Sequence, residues 1–311
     1  MPDEIDIRED YIAQLDAELL NVILKDHSTS NADEQHNIFW ATADYQHLGK
    51  GYQWKDEIKA ELITGEHCKV VTPRVMKSKM AQTARSKDMA EVFTPSWICN
   101  AQNNPIDEQW FGRPNVFNVD TVTADGCHVW ESTTQPIVFT ADKPWLKYVQ
   151  SRRIEFTCGE APYLASRYDT TSGLEIPLNK RIGILDRKFR VINENTPHTA
   201  NENSRRRWLN KAFMALQSTY GFDMQHDNVF LARENIFNTF CDYYLERWQK
   251  LPRIEIMLKA AEIITWNIWQ MDGVKYTIPD TELPCYIMSW KGASPLKGDK
   301  LMFKRLISKQ I

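Results

Sequence analysis

Three short stretches of the chain combine residue types that could hold a charged, hydroxyl-bearing ligand. The first is Glu155-Phe-Thr-Cys-Gly-Glu-Ala-Pro-Tyr-Leu164. Its Gly159 permits close backbone approach, and its backbone N–H groups can face a ligand carboxylate. The second is Tyr220-Gly-Phe-Asp223, a carboxylate at the end of a short apolar run, where a doubly wound domain holds ribose hydroxyls. The third is Asn267-Ile-Trp-Gln-Met-Asp272. Asp272 there can accept from an exocyclic adenine amine, and Trp269 can pack on a ring face. Each has a plainer reading: a tight turn at Gly159, a helix N-cap at Asp223, an Asp-Gly turn at Asp272.

These stretches need strands to place them. Arg153–Thr157, Thr219–Asp223 and Asn267–Met271 read as strands, and the helical spacings of Trp208–Gln217, Asn228–Trp248 and Ile254–Ile264 fall between them. That alternation predicts an α/β fold with a parallel, doubly wound sheet, whose ligands sit beyond the carboxyl ends of the strands. Ahead of it, Ile12, Leu15, Leu19, Val22 and Ile23 predict an amphipathic N-terminal helix, and Asn37–Thr42 a short strand. Asn100–Asn118, rich in Asn and Pro, reads as irregular. Thr121–Thr140 reads as strands broken at Asp125-Gly126, and a short helix begins at Pro144. Asp169–Asn179 and Gly292–Gly298 read as turns.

Composition narrows the function. The 311 residues are 42% hydrophobic and 25% charged, as in ordinary soluble domains, and the net charge is −3. A nucleic-acid partner would therefore need a local basic patch. One stretch offers it: from His67 to Lys87 there is no acid, but there are Lys69, Arg74, Lys77, Lys79, Arg85 and Lys87. A solvated face is the alternative. Arg181, Arg187, Lys188, Arg190 and Arg205–Arg207 form a second basic stretch with acids interspersed. There is no apolar run of membrane-spanning length and no basic-then-apolar leader, so a cytoplasmic protein is expected. The six cysteines form no CxxC pair, and Cys127-His128 has no second pair nearby, so no metal site is expected.

The glycine-bearing stretch resembles the DPACGSGxFL motif of adenine-N6 DNA methyltransferases, with Glu155 for the leading Asp, Cys158, Gly159 and Leu164 matched, and Ala161 for the second Gly. Upstream, Glu91-Val-Phe-Thr-Pro95 resembles the F-x-TP motif of modification (M) subunits of restriction-modification systems. Downstream, Tyr220–Asp223 and Leu231-Ala-Arg-Glu-Asn235 resemble that family's ribose segment, and Asn267–Asp272 its adenine-facing segment. The resemblance spans roughly Ala90 to Asp272. It implies a Rossmann-like S-adenosylmethionine (SAM)-dependent methyltransferase domain over residues 90–311, after an N-terminal mainly helical region over 1–89. It implies SAM as cofactor, held by Phe93, Thr94, Pro95, Glu155, Thr157, Cys158, Gly159, Asp223 and Asp272. DNA is then the partner, contacted by Lys77, Lys79, Arg85 and Lys87, with a second subunit completing activity or specificity.

The family's Asn/Asp/Ser-Pro-Pro-aromatic loop is missing after Asp272. In that loop the amide or carboxylate accepts from the target amine, and the ring stacks on a flipped base. Ser294-Pro295-Leu296 has one proline and no aromatic residue, and Thr94-Pro-Ser-Trp97 is closer in form but belongs to the F-x-TP stretch. Too few residues follow Asp272 for the rest of the usual sheet and a target-recognition domain, and the catalytic residues are unassigned. Leu164 to Tyr220 is long enough to hold an insertion. Two other readings compete: a catalytically inactive interaction or anti-restriction protein on the same fold, and a metal-dependent nuclease using Asp44, Glu57 and Lys59.

Overall fold

The computed structural model describes residues 9–88, 91–293 and 296–307. Two short helices, α1 (Glu9–Leu15) and α2 (Ala17–Leu24), replace the single expected one. The break is at Asp16, whose carboxylate accepts from the Glu18 N–H at 2.7 Å and caps α2. Asn37–Thr42 contributes only isolated bridges, Lys25 to Asn37 and Phe39 to Glu57. Helix α3 spans Lys79–Asp88 and α4 Ser96–Phe111. A hairpin of β1 (Asn118–Val122) and β2 (His128–Ser132) turns at Asp125-Gly126. Then come α5 (Trp145–Val149), β3 (Arg153–Glu155), α6 (Ile184–Asn195), α7 (Glu202–Gln217), β4 (Thr219–Asp223), α8 (His226–Trp248), α9 (Ile254–Asn267) and β5 (Ile268–Gln270). The chain closes on the antiparallel hairpin β6 (Tyr286–Ala293) and β7 (Leu296–Met302), followed by α10 (Phe303–Ile307). The centre of the expected Gly292–Gly298 turn, with Ser294 and Pro295, lies outside the described residues.

The α/β class holds: β3, β4 and β5 form a parallel sheet in that order. The two faces differ. Ile268 belongs to the large core that α2 and α6–α9 share. Residues of α1 and α2, such as Ile12, Leu19 and Ile23, are in the same core, so the N-terminal helices and the sheet are stabilised together. The other face carries Tyr220, Phe222 and Trp269. It packs on Ile287 of β6 and Phe303 of α10, where the expected doubly wound arrangement would put more helices. Tyr220 donates its hydroxyl to the Met288 carbonyl at 3.1 Å on that side.

The Asn-rich stretch is helical instead of irregular. Its side chains find tertiary partners that outweigh their poor helix propensity. Asn103 donates to the carbonyls of Tyr163 and Ile182 at 3.0 and 3.3 Å. Arg187 donates to Asn100, Asn104 and Asp107 at 2.9, 2.8 and 2.6 Å. The long interval before Tyr220 is filled by α6 and α7. Its Lys188 is fully buried and donates to the Ser151 and Ser218 carbonyls at 2.8 and 3.1 Å, so Arg187 and Lys188 are internal while Arg206 and Arg207 are exposed.

Candidate functional site

The carboxyl ends of the three parallel strands converge as the spacing predicts. After β3 the chain stays on β4: the Cys158 N–H donates to the Phe222 carbonyl at 2.8 Å. It then turns sharply, with Thr157, Gly159 and Ala161 at φ of 46°, 52° and 60°. Left-handed φ is rare for a β-branched residue such as Thr157. The Gly159 N–H donates to Asp223 Oδ2 at 2.9 Å, which ties the first loop to the second. Asp223 Oδ1 accepts from the Gln225 N–H at 2.9 Å and from Asn228 Nδ2 at 3.3 Å. Gly221 eases this approach, since a Cβ there would lie 3.2 Å from Cys158 Sγ and from Ile268 Cδ1 and push them apart by a few tenths of an ångström. The third loop joins at Gly273, where a Cβ would meet Phe222 at 3.0 Å and Thr157 at 3.8 Å.

Asp223 is buried, and burial pushes its carboxyl up. Burial also raises Glu155, whose Oε2 is enclosed without a hydrogen-bond partner. Cys158 is buried and its thiol pushed up by burial, so it packs and does not react. Asp272 follows its plainer reading: Oδ1 accepts from the N–H groups of Val274 and Lys275 at 2.8 and 3.0 Å, an Asp-Gly turn. Trp269 is a correction to the expectation of a ring platform. It is buried against Phe222 and Phe303, on the hairpin side of the sheet.

The Glu91–Pro95 stretch crosses near these loops. Asn228 Nδ2 donates to Glu91 Oε1 at 3.1 Å as well as to Asp223, so one amide spans both motifs. Phe93 lies under the Arg74 guanidinium, 4.3 Å from it. The Thr94 carbonyl accepts from Thr170 at 3.0 Å, and Pro95 precedes α4. Glu160, unassigned by the sequence reading, bridges the two parts. It accepts from the Arg74 N–H at 2.8 Å and from the Tyr168 hydroxyl at 2.5 Å. Asn235 donates to the Glu160 carbonyl at 3.0 Å. Arg233 is fully buried and donates to the carbonyls of Ile23 and Ile268 at 2.7 and 2.8 Å, stapling α2 to β5. Asn228 was missed, and Glu160 and Arg233, though inside quoted motifs, were given no role, because each acts by bonding backbone or a distant side chain, which local spacing does not signal.

Glu160 sets a pH dependence. Burial raises its carboxyl to about 7 against hydrogen bonds that lower it, from an ordinary value of 4.5. A raised folded-state value means the stability it contributes is present below 4.5 and lost as pH rises through about 7. Glu160→Gln is expected to flatten that fall, worth on the order of 3 kcal/mol at most. Urea midpoints measured from pH 5 to 8 check it. An unchanged slope in the variant would assign the pH dependence elsewhere.

The basic segment divides. Arg85, 4% exposed, donates Nε and Nη2 to Glu91 at 2.8 and 2.7 Å, Nη2 to Asp227 at 2.9 Å and Nη1 to Asp44 at 3.0 Å. Lys77 pairs with Asp227. Both therefore point inward, contrary to the expected DNA contact, while Lys79 and Lys87 face solvent. Asp44 and Glu57 do not share a site either. Asp44 holds Arg85, and Glu57 accepts from the Asn37 N–H at 2.9 Å and meets His36 at 2.7 Å. Among the described residues no group of three or more His, Cys, Asp or Glu could hold a metal ion, and no helix is long and apolar enough to cross a membrane. None of the six cysteines forms a disulfide.

A cavity of about 860 Å³ lies away from the strand ends, lined by Phe117, Lys180, Arg181, Arg190 and Tyr243 among others. Its cations are matched: Lys180 with Glu131 at 3.0 Å, Arg181 with Asp242 at 2.8 Å, Arg190 with Glu194 at 2.8 Å. No family model, curated protein or solved structure matches the chain.

Proposed function

We propose that the chain is a SAM-binding protein of the DNA adenine-N6 methyltransferase type that keeps the donor site and leaves the acceptor groups to a second chain. The observation that carries this reading is the hydrogen bond from the Gly159 N–H to the Asp223 carboxylate, with Asn228 linking Asp223 to Glu91. It joins three of the four stretches that resemble the donor motifs. The sheet order β3-β4-β5 supports it, because one half of a Rossmann-like doubly wound sheet steps outward in the same way.

The residues fit the donor in part. The enclosed Glu155 Oε2 lacks a partner and suits a cationic amine. Asp223 already receives three N–H groups, and two carboxylate oxygens accept about four in all, so about one ribose hydroxyl can be added. When bound, SAM supplies an activated methyl group on its sulfonium; the chain's own part is to orient it and keep water away.

The acceptor side is different. In Thr94-Pro-Ser-Trp97, the Thr94 carbonyl is occupied by Thr170, and Trp97 stacks on His128 with ring centroids 4.0 Å apart. That tetrapeptide is not free to hold a flipped base, which favours a companion chain or the inactive, interaction-protein reading. Calorimetric titration of the chain with SAM separates the possibilities. Micromolar binding is expected, and no heat at millimolar SAM would leave only the interaction protein. DNA, if bound, meets Lys79 and Lys87. Replacing both with Ala should lower the slope of log affinity against log salt by about 2, and an unchanged slope would exclude α3 as the contact.

A further inference from the structure

Another cavity, of about 400 Å³, lies between α3 and the turn at Asp44-Tyr45. It has the size of a small-molecule site and, like most of them, sets a few polar groups in an apolar wall. Val70, Ala81, Ala84 and the Tyr45 ring give the apolar surface. Asp44, Thr72, Lys77, Ser78 and Arg85 give the polar groups.

The two cations are fixed in place. Arg85 is buried, and its Nε and Nη2 donate to Glu91 at 2.8 and 2.7 Å while Nη2 also donates to Asp227 at 2.9 Å. Lys77 pairs with Asp227, and its Nζ lies 3.5 Å from the Tyr45 hydroxyl. These contacts do not use every hydrogen. Lys77 keeps one, and Arg85 Nη1 is engaged only by Asp44, at 3.0 Å. Ser78 Oγ accepts from the Ala81 N–H at 3.2 Å and has its own proton left to donate.

Asp44 differs from the other carboxylates that answer Arg85. Its side chain is 41% exposed, against 6% for Glu91 and 0% for Asp227. An ion pair with one partner in water contributes little, so Asp44 can leave at small cost, whereas Glu91 and Asp227 cannot. Once it leaves, Arg74, Lys77 and Arg85 are answered by Glu91 and Asp227 alone, and the cluster carries a net positive charge beside an apolar wall. Arg85 Nη1 and Lys77 Nζ then offer more N–H donors than a carboxylate needs. A phosphate head, with three acceptor oxygens, can take them together with the Ser78 hydroxyl.

We propose that this cavity binds a small phosphomonoester, whose phosphate replaces Asp44 on Arg85 and whose organic part packs on Val70, Ala81 and Ala84. Asp44 occupies the phosphate position in the empty protein. A nucleic-acid backbone is the wrong shape, because both cation heads lie inward and only a terminal phosphate on a narrow body reaches them.

The test is calorimetric titration of the full chain with phenyl phosphate, without SAM and at constant ionic strength. Saturable binding is expected, with a Kd below about 1 mM. Asp44→Ala removes the competing carboxylate and should tighten binding about five-fold, an effect that no folding defect produces. Ala84→Trp fills the cavity from the exposed side of α3, keeps every charge, and should weaken binding about ten-fold or more. Benzoate, which carries a carboxylate on the same ring, should bind more weakly than phenyl phosphate. No heat at about 10 mM phenyl phosphate from either the wild type or Asp44→Ala overturns the proposal. So does an affinity that Asp44→Ala does not raise, or benzoate bound as tightly as phenyl phosphate. If circular dichroism shows Ala84→Trp to be unfolded, the Asp44→Ala and benzoate results decide alone. A chain that binds no SAM can still bind phenyl phosphate, so this proposal and the donor-site reading fail separately.

Discussion

Asp223→Ala is expected to abolish SAM binding and to lower the stability of the whole chain by about 3 kcal/mol. The second half follows from the geometry. Asp223 is the acceptor for three N–H groups, from Gly159, Gln225 and Asn228. Alanine leaves all three without their partner, and each buried donor left unmade costs about 1–3 kcal/mol. The cost is reduced because Gly159 is only half-buried, so water can reach its N–H. It is reduced again because burial pushes the Asp223 carboxyl up, so holding its charge inside the fold itself costs stability. Asp223→Asn separates the two roles. Its amide keeps the shape and one oxygen acceptor, so the fold should lose only about 1 kcal/mol. SAM affinity should still fall, because the charge that favours ribose hydroxyls is gone. Urea midpoints and calorimetry on the same preparations check both. A wild-type midpoint for Asp223→Ala would mean the glycine turn does not need its latch. Unchanged SAM affinity in Asp223→Asn would move the donor site away from β4.

How much of this could be read from the sequence depends on where each residue's partner lies. β3, β4, β5, α8 and α9 were legible to within a few residues, because their apolar periods are set by burial inside a layered core. The glycine turn was legible because Gly159 sits at a left-handed φ between a strand and a tight reversal. Helix α4 was not, since Asn100, Asn103 and Asn104 are helical only through distant partners such as Arg187 and the Tyr163 carbonyl. Trp269 misled because strand alternation alone does not say which of two faces carries the ligand. It faces the β6–β7 hairpin, a layer the expected doubly wound sheet did not contain.

The basic segment misled for a related reason. A run of cations without acids looks solvent-facing, but the acids that answer it lie outside the run: Glu91 just beyond it, in the Glu91–Pro95 stretch, and Asp227 far along the chain, in the first turn of α8. The expected consequence is large. Arg85→Ala should destabilise the chain by about 3–5 kcal/mol, because it strands two buried carboxylates that its guanidinium holds. Asp227 is fully buried; burial alone would raise its carboxyl, yet Lys77 and Arg85 hold it well below the ordinary range. A depressed carboxylate contributes stability above its unfolded value, 3.8, that is lost only as pH falls through its lower folded value. The network should therefore hold through mildly acidic solution and be nearly insensitive to salt, as buried pairs are screened little. Arg85→Lys should recover little, since one ammonium cannot reproduce the paired contact with Glu91 together with those to Asp227 and Asp44. Thermal or urea unfolding of these variants tests this directly. If Arg85→Ala unfolds like the wild type and loses only DNA affinity, Arg85 is a surface contact in solution. If it is strongly destabilised, α3 is fixed to α8 through Arg85, and only the outward Lys79 and Lys87 remain for a polyanion.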